Sequence, residues 1–104
     1  MKALMEKINK FNNDRDWDKF HSPENLSKSI SIEAGELLEC FQWTPDYNID
    51  NVKDELADVF MYSMMLANEL NLNIEDIILD KLNKNESRYQ VDKVKGTSKK
   101  YTEL

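Results

Sequence analysis

From Ser22 to Leu70 the chain reads SPENLSKSISIEAGELLECFQWTPDYNIDNVKDELADVFMYSMMLANEL. Ser22, Pro23 and Glu24 supply an N-cap, a proline at the first helical position and an acid in the first turn. Leu26, Ile30, Ala34, Leu37, Leu38 and Phe41 then recur at helical spacing, and this helix is expected to end before Pro45. Gly35 inside it costs about 1 kcal/mol relative to alanine, which predicts the close approach of another backbone. Thr44 to Ile49 reads as a short polar loop. Asp50 or Asn51 is expected to cap a second helix that carries Val52, Leu56, Val59, Phe60, Ser63, Leu66, Ala67 and Leu70 on one side. Met61, Met64 and Met65 make its far side apolar as well, which predicts burial of that side between subunits.

The pattern extends outward in both directions. Met1, Leu4, Met5, Ile8 and Phe11 form a first helix that the polar cluster Asn12 to Asp14 ends, and a connector with Trp17, Phe20 and His21 follows. Downstream, Asn73 with Asp76 three residues later caps a fourth helix through Ile74, Ile77, Ile78 and Leu82 toward Tyr89. Residues 90–104 form a lysine-rich tail with Gly96 and no clear period. With 104 residues, two glycines and two prolines, the expectation is one all-α domain over 1–104, a four-helix bundle that gains burial by assembling into a homo-oligomer.

Charge narrows the chemistry. The net charge is −6, the wrong sign for a nucleic-acid polymer. Between Glu33 and Asp58, eight acids (Glu33, Glu36, Glu39, Asp46, Asp50, Asp54, Glu55 and Asp58) stand against Lys53 alone, a local net of −7. One cysteine, Cys40, excludes a disulfide framework and a cysteine-rich zinc site. The start of the chain lacks a signal-like segment, and no apolar stretch approaches the ~20 residues that span a bilayer, so a cytoplasmic, non-membrane protein is expected.

Residues three apart on a helix are neighbours, so Glu33 and Glu36 form one pair and Glu55 and Asp58 another. Both pairs sit at the margins of apolar stripes. On antiparallel helices they can converge, and four hard oxygen donors suit Mg²⁺, which keeps several waters and also binds substrate phosphates. Solvated acids on two amphipathic helices remain the alternative. The single histidine follows no Glu-x-x-His pattern, which removes a di-iron carboxylate bundle.

Glu33-Ala34-Gly35-Glu36, an 18-residue gap and Glu55-Leu56-Ala57-Asp58 resemble the Glu-x-x-Glu and Glu-x-x-Asp signature of the MazG-like, all-α nucleoside triphosphate pyrophosphohydrolases. Arg15-Asp16-Trp17, Phe20-His21-x-Pro23-x-Asn25-Leu26, Glu39-x-Phe41-Gln42-Trp43 and the closing Lys100-Tyr101-Thr102-Glu103-Leu104 are similar to the dCTP pyrophosphatase branch. Two positions depart: Ile32 replaces the leading glutamate of the broader signature, and Ile8 stands where animal members carry a base-proximal histidine.

The resemblance implies a Mg²⁺ site at Glu33, Glu36, Glu55 and Asp58, with a nucleoside triphosphate, dCTP or a modified relative, cleaved to monophosphate and pyrophosphate. It implies stacking of the base at Trp17 and Trp43 near Tyr62, contact from His21, and phosphate contacts from Lys81, Asn85, Arg88 and Tyr89. It also implies a tetramer. Glu36 or Glu39 is the candidate to polarise the attacking water. The rival is a non-enzymatic helical interaction module whose acids are solvation and whose tryptophans anchor a partner protein.

Overall fold

The computed structural model describes residues 1–103, and among them every regular element is helical. The helices are α1 (Lys2–Asp14), α2 (Pro23–Glu39), α3 (Ile49–Glu69), α4 (Ile74–Arg88) and the one-turn α5 (Val91–Val94). Single 3-10 turns lie at Asp18–Phe20 and Tyr101–Glu103. The closing pentapeptide of the resemblance is therefore described except for its last residue, Leu104, which lies outside the described residues. Two compact units divide the chain, Met1–Asn71 and the segment from Leu72 onward.

The starts of α2, α3 and α4 follow from a short polar side chain. Ser22 Oγ accepts the Asn25 N–H at 3.1 Å with Pro23 next to it, and Asn73 Oδ1 accepts the Asp76 N–H at 3.0 Å. The start of α3 differs from expectation. Asn48, not Asp50 or Asn51, is the cap, and its Oδ1 accepts from the Asp50 N–H at 2.9 Å and the Asn51 N–H at 3.3 Å. Asparagine needs no following apolar run to serve there, so helix α3 begins at Ile49, three residues before its apolar period starts at Val52.

In the first unit α2 and α3 form a hairpin, and α1 packs on α3. Leu26 is 1% exposed, and Ile8, Met64, Met65 and Ala67 are also buried. That core corrects the expected division of α3. Met64 and Met65 lie inside this chain instead of on a face left for another subunit, while Leu56 and Phe60 of the expected core side are exposed. A helix apolar on both sides leaves the choice of inward face to its partners, and the flexible thioethers fill the irregular space.

The inward side of α2 also differs from the expected stripe: Leu38 is 71% exposed, whereas Ile30, Glu33, Glu36 and Leu37 are half-buried. Phe41 falls beyond the helix end and is exposed. A Cβ placed on Gly35 would meet nothing within 4 Å among the described residues, so the expected close approach of another backbone is not found there and the glycine lies on an exposed face. Among the described residues no helix is long and apolar enough to cross a membrane.

Candidate active site

The hairpin brings the acid pairs together. Glu33 and Glu36 share the inward side of α2, and Glu55 and Asp58 share that of α3, all four half-buried. Glu33, Glu55 and Asp58 each offer a carboxylate oxygen, and these atoms all lie within 4.8 Å of one another. Oε2 of Glu33 and Oε2 of Glu55 are sealed from water and have no hydrogen-bond partner among the described residues. Buried acceptors without donors are uncommon in folded proteins and destabilising where they occur.

The electrostatics carry the same strain. Burial pushes the Glu33 carboxyl up to about 7, helped by its side-chain contact with Glu36 and by the charges of Glu36 and Asp58. Glu55 is raised by its contact with Glu36 first and by burial second. Glu36 therefore touches both neighbours and belongs to the cluster, although its oxygens fall outside the tightest group of three. Tyr62, one turn beyond Asp58, has its phenol raised by burial and then by the charges of Glu33, Asp58 and Glu36. Hard oxygen donors that repel one another and lack proton donors fit a small divalent cation.

Beside Asp58 a cavity of about 410 Å³ opens, lined by Trp17, His21, Tyr62, Ile8, Phe11 and Asn12 among others. Its indole wall is well fixed. The Trp17 N–H donates to the Asn12 carbonyl at 3.0 Å, and the Trp17 ring meets Phe11 edge-on with centroids 5.6 Å apart. Arg15 caps the other side of Phe11, its guanidinium 3.8 Å from the ring centroid. Asp16, with φ of +56°, makes the sharp turn that brings the tryptophan back over α1.

Three of the aromatic and histidine candidates thus line one cavity. Trp43 does not: it lies in the loop between α2 and α3 and is 86% exposed. Glu39 is exposed in the last turn of α2, three residues beyond Glu36, and is not one of the tight group of three. In the second unit Lys81, Asn85 and Arg88 lie on α4, and Tyr89 is its C-cap, with the Tyr89 N–H donating to the Asn85 carbonyl at 2.8 Å.

Sequence reading passed over Asn12, which it took only as part of the cluster that ends α1. The available signal was position: Asn12 continues the inward series of half-buried Met5 and buried Ile8 at helical spacing, and it is 6% exposed.

A helical hairpin with crowded carboxylates and an aromatic-walled cavity alongside defines an all-α protein with an acidic cluster that could hold a metal ion. The chain belongs to the MazG-like family, whose model matches residues 28–104. It is 35% identical to dCTP pyrophosphatase 1 of Bos taurus and to that of Homo sapiens, over 88% of this chain in each case. The match covers 60% of the bovine protein and 59% of the human one, so the chain spans about three-fifths of the length of these relatives. The solved structure of a pyrophosphatase from Archaeoglobus fulgidus superposes with a TM-score of 0.82 and 36% identity, covering 86% of this chain and 92% of that one.

Proposed function

We propose that this protein is a Mg²⁺-dependent nucleoside triphosphate pyrophosphohydrolase that takes dCTP or a related, including modified, deoxynucleotide to the monophosphate and pyrophosphate. The observation that carries this reading is the convergence of Glu33, Glu55 and Asp58 beside the Trp17 cavity. Its relatives are pyrophosphatases, two of them named for dCTP.

Glu33, Glu36, Glu55 and Asp58 would hold the cation. Bound there, Mg²⁺ supplies Lewis acidity toward phosphate oxygens and a more acidic water. The remaining work belongs to the chain. Trp17 and Tyr62 offer ring faces to a base, and base–aromatic stacking is worth about 1–3 kcal/mol. Glu36 contacts Glu33 and Glu55 and is half-buried while Glu39 is exposed, which favours Glu36 over Glu39 as the carboxylate that takes a proton from the attacking water. Trp43 at the base and Lys81, Asn85, Arg88 and Tyr89 at the phosphates rest on family resemblance.

Product analysis tests the reaction. With MgCl₂, dCTP should give dCMP and pyrophosphate in equal amounts on ion exchange, with no dCDP and no orthophosphate. Release of dCDP would place cleavage at the terminal phosphate and overturn the assignment.

The protein is further proposed to work as a homo-oligomer, a tetramer by resemblance. Support comes from Leu38, Leu56 and Phe60, large apolar side chains exposed at 71%, 41% and 58%. Light scattering at micromolar concentration should return a multiple of the 12.3 kDa chain mass, fourfold for the tetramer. A mass of one chain would refute assembly.

A further inference from the structure

We infer that Asn12 reads the hydrogen-bonding edge of the base, and so acts as a specificity-determining residue within the cavity of the proposed nucleotide site, on which reading the inference rests. Asn12 is 6% exposed, yet among the described residues its carboxamide makes no hydrogen bond. Its main-chain oxygen accepts from the Arg15 main-chain N–H at 3.2 Å and the Trp17 main-chain N–H at 3.0 Å. Unlike Glu33 Oε2 and Glu55 Oε2, the carboxamide atoms are not sealed from solvent, so they stay open to a partner from the cavity.

The side chain lines the 410 Å³ cavity together with Trp17, His21, Tyr62 and Asp58, and it also lines an adjoining cavity of about 310 Å³. Because the Trp17 amide is bonded to the Asn12 carbonyl, the stacking face and the carboxamide are held in one frame. A carboxamide presents a donor and an acceptor side by side. Cytosine presents the complement, the N3 acceptor next to the 4-amino donor, and two parallel hydrogen bonds result. The same carboxamide turned over pairs with N3–H and O4 of uracil or thymine. Asn12 thus rewards a two-point polar edge, and loses half of that pairing when the base loses its 4-substituent.

The test compares dCTP with the triphosphate of 2-pyrimidinone deoxyriboside, which is cytosine without the 4-amino group, in wild type, Asn12→Ala and Asn12→Leu. Leucine keeps the branched, four-heavy-atom outline of asparagine without its polar atoms, so one variant fills the site if alanine loosens α1, and thermal melting checks both. In wild type kcat/KM for dCTP should exceed that for the analogue by at least about tenfold. In both variants the ratio should fall to within about twofold of unity, through a larger loss on dCTP. An unchanged ratio in a folded variant overturns the inference, as does a wild type that turns over both substrates equally well. A wild type that hydrolyses neither compound nor any other nucleoside triphosphate overturns the proposed function itself, and this inference with it.

Discussion

Glu36→Ala and Asp58→Ala should each lower dCTP turnover by at least about a hundredfold while leaving the metal-free protein as stable as wild type or more so. The two halves of that result come from one arrangement. Removing a member of a metal's carboxylate set removes charge from the cation site, and even outer partners of such sites matter by 10- to 100-fold. In the absence of metal the same carboxylates repel, and the raised Glu33 and Glu55 record that repulsion. Deleting one charge relieves it. At the proposed cation site MgCl₂ would bind only the folded arrangement, so it should raise the melting temperature of wild type as its concentration passes Kd, and the variants should lose most of that rise. Matched ionic strength of NaCl separates binding from screening. Retained turnover in both variants, or a shift that NaCl reproduces, would remove the metal site and favour an interaction module with solvated acids.

The acid pairs were legible because their spacing is a helical property. Two Glu-x-x-acid steps on helices joined by a short loop meet whichever apolar residues surround them, and the observed hairpin needs only that loop. Which face of each helix turns inward was far less legible. Periodicity placed Leu38 and Phe60 in the core and Met64 outside it, because α3 is apolar around most of its circumference and its period fixes no single direction. The acids show the same ambiguity from the other side. Glu33 sits beside Ile30 and Leu37 on the inward face, a position that a rule of polar residues outward assigns to solvent. Asn12 was hidden for that reason as well. Local propensity reads an asparagine near a helix end as a terminator, and only the tertiary fold shows it as a buried donor and acceptor beside Trp17.

Acidity should strengthen the metal-free fold and weaken its hold on the cation. Glu33 is raised from an ordinary 4.5 to about 7 by burial, its contact with Glu36 and the neighbouring charges. Below pH 4.5 the group is neutral in folded and unfolded chains alike, and its full contribution to stability is present. Between 4.5 and about 7 the unfolded chain gives up the proton and the folded chain keeps it, so this contribution falls as pH rises through that window. Glu55 is shifted in the same direction. Metal binding runs the other way, since a cation competes with the proton for the same oxygens and gains as the carboxyls ionise. The melting temperature of wild type in EDTA, measured from pH 5 to pH 8, should therefore fall relative to Glu33→Gln, which has no proton to lose. In saturating MgCl₂ the rise in wild-type melting temperature over EDTA should be larger at pH 8 than at pH 5. Exposed carboxylates elsewhere, such as Asp14 paired with Lys10 at 2.7 Å, are common to both proteins and cancel in the difference. Parallel profiles for wild type and Glu33→Gln in EDTA would show that Glu33 titrates as an ordinary solvated acid, and would dissolve the crowded cluster on which the cation site depends.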